Sequence, residues 1–255
     1  MKLKLLAGAA MVGMFAAGAA YAAPADSGWY GAVDLGAHIP GHMETTSEFT
    51  ELGGPPASLR YTTNQPDFAG FARIGYKINP HVRVELEGGY RNGGLVSVIE
   101  QNSGRPVGSI TAICNFSNTV SCARPHGSID TWTIMGNVLV DLLPNGPVDP
   151  FIGAGVGDAH VRMIAEGRTQ GVGAGTGFFS SDDTQDQFAF QGIAGLAFHV
   201  TDQLSVDFTY RWLGTSTMRF RTHQFNGFQL GTVNGSYDDN SFTLGLRYLL
   251  AAPPP

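Results

Sequence analysis

The stretch Leu204-Ser205-Val206-Asp207-Phe208-Thr209-Tyr210-Arg211-Trp212 decides the fold. Leu204, Val206, Phe208, Tyr210 and Trp212 are apolar or aromatic, while Ser205, Asp207, Thr209 and Arg211 are polar or charged. Strict alternation marks a β-strand whose two faces meet different surroundings, because successive side chains point to opposite sides. The polar face here carries full charges. A face of this kind suits a wall with lipid on one side and a polar interior on the other.

The same period recurs on both sides of this stretch. Phe242, Leu244, Leu246, Tyr248 and Leu250 oppose Thr243, Gly245 and Arg247. Phe188, Phe190, Ala194, Leu196, Phe198 and Val200 oppose Gln187, Gln191 and His199. Further back, Trp132, Ile134, Val138, Val140 and Leu142 oppose Thr131, Thr133, Asn137 and Asp141. Val82, Val84, Leu86, Gly88 and Tyr90 oppose Arg83, Glu85, Glu87 and Arg91. Phe68, Ala72, Ile74, Tyr76 and Ile78 oppose Asp67, Arg73 and Lys77, and from Trp29 onward Val33, Leu35 and Ile39 oppose Tyr30, Asp34 and His38. The stretch Asp149 to Val161 is ambiguous. Gly153, Gly155 and Gly157 share one parity that suits a narrow interior, but turning Ile152, Ala154 and Val156 outward places Asp158 on the lipid side unless it sits at the rim.

These runs are joined alternately by tight and long connections. Asn79-Pro80-His81, Pro144-Asn145-Gly146-Pro147 and Thr201-Asp202-Gln203 are tight; residues 40–66, 92–127, 162–186 and 214–236 are long. Four long loops alternating with three short turns imply eight antiparallel strands in an up-and-down transmembrane β-barrel, with loops outside the cell and turns in the periplasm. Each apolar face is long enough for the roughly 9–11 tilted residues that cross a bilayer. Aromatics collect in two belts, Trp29, Tyr76, Phe151, Phe198 and Tyr248 near the turns and Phe68, Tyr90, Trp132, Phe188 and Trp212 near the loops. Such belts mark the two membrane interfaces.

The start of the chain agrees with export. Lys2 and Lys4 precede the apolar stretch Leu5 to Ala20, and Ala20-Tyr21-Ala22 is a small-residue cleavage site. Residues 1–22 therefore read as a signal peptide, residues 23–250 as one barrel domain and residues 251–255 as a proline-rich tail. After the leader, no segment approaches the ~18 consecutive apolar residues of a membrane helix. Charged residues are only 14% of the chain, which carries 35 glycines. Without Lys2 and Lys4, 13 basic residues face 21 acidic ones, a net charge of −8. That balance excludes a nucleic-acid footprint, which is basic.

Gly28-Trp29-Tyr30-Gly31, the run Asp149-Pro150-Phe151-Ile152-Gly153-Ala154-Gly155-Val156-Gly157 and the closing Asn240-Ser241-Phe242-Thr243-Leu244-Gly245-Leu246-Arg247-Tyr248 carry a resemblance. The chain resembles the OmpA-type eight-stranded outer-membrane barrels over residues 28 to 250. It looks most like their alphaproteobacterial members, the porin-family or outer-membrane β-barrel proteins. Thr243, Gly245, Tyr248 and Leu250 look like the C-terminal signal read by the barrel-assembly machinery, which the resemblance implies as a partner. The tail Ala251-Ala252-Pro253-Pro254-Pro255 stands where two-domain relatives carry a hinge to a peptidoglycan-binding domain, so that activity is not carried over. The expected surroundings are outer-membrane lipid and lipopolysaccharide, and the expected state is a monomer.

The interior list is charged and nearly balanced, with Arg73, Lys77, Arg83, Arg91, Arg211 and Arg247 against Asp34, Glu85, Glu87, Asp141 and Asp207. An eight-stranded barrel is just wide enough for side chains to fill. These groups are expected to pair across the lumen, since an unpaired buried charge costs several kcal/mol. The network either plugs the lumen or gates a narrow solute channel by exchanging partners. Cys114 and Cys122, alone in an exported chain, are expected to form a disulfide in the second long loop.

Other motifs are weaker. Gly171 to Gly177 lacks the strand, helix and lysine of a phosphate loop, and Asp182, Asp183 and Asp186 are a poor calcium set. His126-Gly127-Ser128 resembles the His-x-Ser pair of lipid A deacylases, but only Asp130 is near as an acid and the rest of the chain does not follow that family. No enzyme activity, cofactor or metal is expected. The expected work is structural, as envelope integrity and surface presentation.

Overall fold

The computed structural model describes residues 27–41, 43–50, 56–63, 65–100, 112–114, 124–144, 146–170, 177–225 and 231–250. The leader, Cys122, residues 171–176 and the tail lie outside them. The described residues hold fifteen strands, numbered in chain order. Eight are staves of a wall: β1 (Gly28–Pro40), β4 (Asp67–Asn79), β5 (Val82–Arg91), β8 (His126–Asp141), β9 (Val148–Gln170), β10 (Phe178–His199), β11 (Leu204–Thr215) and β15 (Asp238–Leu249). Each pairs antiparallel with the next, and β15 pairs with β1, so the ring closes. Closure leaves no open edge, the condition for any sheet in lipid. The chain is an all-β, eight-stave, up-and-down barrel.

The turns close for local reasons. The Asn79 side-chain oxygen accepts the amides of His81 and Val82, and the Thr201 hydroxyl accepts that of Leu204. A side chain that caps its own turn replaces backbone partners lost at the reversal.

Parity sorts the side chains as two solvents require. Leu35, Trp132, Ile134, Phe188 and Leu244 stand outward and exposed, whereas Asp34, Glu87 and Asp207 on neighbouring inward positions are fully buried. The ambiguous stretch is settled by β9. Ile152, Ala154 and Val156 face out, Gly155 faces in, and Asp158 faces out beside Ile134 and Phe188. Phe151 departs from its expected place in the turn-side belt. It is 1% exposed and points into the lumen, because its parity is that of Gly153 and Gly155.

Strands extend into the long connections. β9 and β10 run well past the expected limits of Val161 and Gln187, pairing as one long hairpin up to Arg168 and Phe178. The other connections carry β2 (Met43–Thr50), β3 (Pro56–Thr63), β6 (Leu95–Glu100), β7 (Ala112–Cys114), β12 (Met218–Arg221), β13 (His223–Phe225) and β14 (Thr232–Gly235). Antiparallel ladders link β12 to β14, β14 to β2, β2 to β3, β3 to β6, β6 to β7 and β7 to β9. A second tier, a crown, thus stands on the staves. β13 pairs with β10, and β10 and β12 meet at a seam without a ladder of their own among the described residues. There the Arg221 amide donates to the Asp183 carboxylate at 2.9 Å and the Ser181 hydroxyl to the Arg221 carbonyl at 2.9 Å.

The crown reverses the polarity of the wall. Its interior is an apolar cluster that includes Met43, Leu59, Tyr61, Met163, Phe179 and Phe220, all buried. Its outer face carries Glu44, Arg60, Arg162 and Asp182.

Candidate functional site: the lumen

The inward charges come from every part of the ring. Arg73 on β4 reaches three carboxylates. Its Nε and Nη2 grip Asp34 of β1 at 2.7 and 2.8 Å, Nη1 meets Glu85 of β5 at 2.9 Å, and Nη2 meets Asp207 of β11 at 3.1 Å. Arg211 comes from β11 and completes a second bridge, to Glu87 at 2.9 Å, Asp34 at 3.0 Å and the Thr243 hydroxyl at 2.8 Å. Two planar guanidinium forks therefore share the Asp34 carboxylate. Arginine suits this work because its five donors are held in a fixed plane.

Below this layer, Arg83 pairs with Asp141, Nε to Oδ1 at 3.0 Å, and Arg247 touches Asp207 at 3.3 Å. Above it, Arg91 donates to Asp239 and Ser241 at 3.0 and 3.1 Å, and His38 lies 2.6 Å from the same Asp239. Aromatic faces separate the layers. Phe71 lies between Arg91 and Arg211, whose guanidinium carbons are 4.8 and 4.2 Å from its ring centre; Arg83 covers Phe151 at 5.0 Å. Such contacts are attractive, most strongly where water is excluded.

Inward glycines make the room. A Cβ on Gly245 would stand 1.8 Å from Asp34 Oδ1, and one on Gly155 would stand 1.9 Å from Asn137 Oδ1. Gly245 and Thr243, expected to serve the assembly signal, therefore also seat the network. Tyr248 faces outward with its hydroxyl 3.1 Å from Gln203, and the Leu250 amide donates to the Trp29 carbonyl where the ring closes.

All eleven charged residues named from the sequence stand on inward positions. Lys77 is apart from the rest: it lies half-buried near the turns and makes no hydrogen bond or ion pair among the described residues. Several members were not anticipated, namely Asp149, Asp239, Tyr30 as donor to Glu85 at 2.6 Å, and Gln191 bridging Glu87 and Asn137. Asp239 was legible, since the parity of Thr243 runs back through Ser241 to it. Asp149 was hidden by the ambiguity of its strand.

The weaker motifs are placed as follows. His126, Ser128 and Asp130 share the outer face of β8, where the Ser128 hydroxyl donates to Asp130 at 2.8 Å rather than to a base. Asp182 pairs with Arg162, Asp186 with His160 and Asp183 with Arg221, so the three acids do not converge. Burial opposes the charge on Asp183, but hydrogen bonds from the Arg221 side chain and amide and from the Thr184 amide outweigh it. They hold the carboxyl below its ordinary value. Cys114 ends β7, buried against the crown interior.

A closed ring of antiparallel staves with an apolar outer belt and charges inside defines an integral outer-membrane β-barrel. The chain belongs to the outer membrane protein beta-barrel domain family, whose sequence model matches residues 7–248. A Brucella melitensis protein without an assigned function is 29% identical over 206 residues, 74% of this chain and 69% of its own length. A Rickettsia typhi protein whose name proposes an adhesin is 26% identical over 248 residues, 97% of this chain and 99% of its own. The outer membrane protein OprG of Pseudomonas aeruginosa superposes with a TM-score of 0.52 at 9% identity, covering 90% of this chain and 100% of its own, a likeness of fold alone.

Proposed function

We propose that the chain is a closed, non-conducting and non-enzymatic outer-membrane barrel that supports the envelope and presents its crown at the cell surface. The observation that carries this reading is the shared Asp34 carboxylate, which ties Arg73 and Arg211 across the lumen from β1, β4 and β11. Opening a path there would strip partners from charges that are fully buried, a cost of several kcal/mol for each. The apolar interior of the crown is a second obstacle, since a hydrated ion must shed water to enter it. The surface role draws support from the adhesin proposed for the Rickettsia relative, which matches almost end to end.

The same reading includes removal of residues 1–22, contact of the belt with lipopolysaccharide and lipid, a monomeric state, and recognition of Thr243, Gly245, Tyr248 and Leu250 by the assembly machinery. Planar-bilayer recording of the refolded protein tests it. No discrete conductance steps are expected; steady ion conductance by the wild-type chain would replace this reading with the narrow solute channel.

A further inference from the structure

Beneath the layer of Arg73 and Arg211, a cavity of about 60 Å³ opens among the short turns, with Asp202 and Gln203 of the β10–β11 turn at its mouth. That is room for a few water-sized bodies, given the 10–15 Å³ that one water requires. Its walls carry Lys77, Arg83 and Arg247 together with His199. Three carboxylates also line it, Asp141, Asp149 and Asp202.

The balance of partners is uneven. Asp141 is held by Arg83 through Nε at 3.0 Å and Nη2 at 2.8 Å. Asp149 Oδ1 accepts a hydrogen bond from the Leu143 amide at 2.9 Å, and Asp202 is exposed on the turn. Arg247 has a side chain only 9% exposed; among the described residues its one ion pair is with Asp207 at 3.3 Å, a carboxylate already bound by Arg73, and its guanidinium carbon lies 5.8 Å from the Tyr30 ring centre. No hydrogen bond satisfies its remaining donors among the described residues. Lys77 has neither hydrogen bond nor ion pair there. The His199 Nδ1 meets the Ser205 hydroxyl at 3.0 Å, which leaves Nε2 without a hydrogen bond among the described residues, and the ring lines the cavity. The Arg247 donors turned away from Asp207 can be met by an oxygen acceptor in the cavity.

We infer that this cavity is a binding site for a small oxyanion, of the phosphate or carboxylate class, entering from the turn side and held by Arg247, Lys77 and His199. The site lies below the Asp34 layer and does not depend on whether the lumen conducts.

Lys77 supplies the test, because Lys2 and Lys4 in the leader are the other lysines of the chain. The folded protein in detergent micelles is treated with an amine-acylating reagent in sodium phosphate, in sodium acetate and in sodium chloride at matched ionic strength. Peptide mass spectrometry follows the modification of Lys77, with the N-terminal amine as internal control. Phosphate or acetate is expected to slow acylation of Lys77 several-fold and saturably, chloride is not, and the control amine is expected to react alike in all three. Protection by phosphate alone assigns the site to phosphate, and protection by acetate alone to carboxylates. Protection should disappear in Arg247→Gln that still shows the heat-modifiable folded band. Should Lys77 react at one rate in all three salts, or should Arg247→Gln folded protein keep full protection, the site does not exist. The wild-type comparison decides even if the variant fails to fold.

Discussion

The wall and the crown share the long hairpin of β9 and β10 but have opposite polarity. Along the outer face of β9, Ile152, Ala154 and Val156 give way to Asp158, His160 and Arg162; along its inner face, Gly153, Gly155 and Gly157 give way to Ala159, Val161 and Met163. Nothing in the backbone changes, since β9 stays paired with β10 throughout. What changes is the solvent. Where lipid lies outside, apolar groups face out and the charges retreat inward, where they must pair. Where water lies outside, the hydrophobic effect takes over and the interior becomes an ordinary apolar core. One barrel thus uses two unrelated sources of stability, ion pairs below and buried apolar surface above.

The sharpest way to break this comparison is to remove the shared carboxylate. Asp34→Ala leaves Arg73 and Arg211 without their common partner, and breaking a buried pair in this way costs about 3–5 kcal/mol. The loss should appear as a fall in the temperature at which the compact band on an unboiled gel converts to the unfolded one. In the crown the corresponding change is Met163→Ala, a truncation of the apolar core worth about 2–5 kcal/mol. Limited proteolysis should then cut the crown while the heat-modifiable band persists. If both variants lowered the barrel transition equally, the two tiers would form one cooperative unit.

A pair of arginines on one face of one strand sharpens the contrast further. Val156→Arg puts a cation against lipid and should cost about 2–4 kcal/mol. Ile164→Arg, eight residues along the same face of β9, meets water and should fall within about 0.5 kcal/mol of the parent. Urea titration of the two refolded proteins in lipid vesicles reads the difference directly. Smaller still is the proposed Cys114–Cys122 disulfide. Reductant is expected to speed proteolysis of the crown without moving the heat-modifiable band, and free-thiol labelling before reduction is expected to find none.

The smallest effect concerns the seam. The Asp183 carboxyl is held below its ordinary value, so its contribution is present above the unfolded value near 4 and is lost as pH falls through the lower folded one. Peptic cleavage of the crown should therefore accelerate only below about pH 4. In Asp183→Asn that acceleration should vanish.

Much of this was legible in the residues. The strand Leu204 to Trp212 and six of its seven companions declare themselves because a membrane wall cannot tolerate a parity error; Asp149 to Val161 is the ambiguous one. The same constraint named the inward charges from Asp34 to Arg247. The reading failed where this constraint lapses. Phe151 reads as a belt residue from the sequence because the glycines around it leave both faces of its strand nearly featureless. The second-tier strands look like loops in the sequence because Thr, Ser and Gly there alternate weakly against scattered apolar residues, and short strands such as Ala112–Cys114 carry too little pattern to be seen alone.

By itself, then, the sequence determined the class of fold, the direction that every stave but β9 faces and most of the charges that must meet inside, because each is a consequence of period two and of the cost of charge in lipid. Only the tertiary structure decided who meets whom. Arg73 chooses Asp34, Glu85 and Asp207, residues 39, 12 and 134 positions away along the chain. Those partnerships follow from the stagger of closed strands and from the space that glycines such as Gly245 leave open, and no local pattern encodes either.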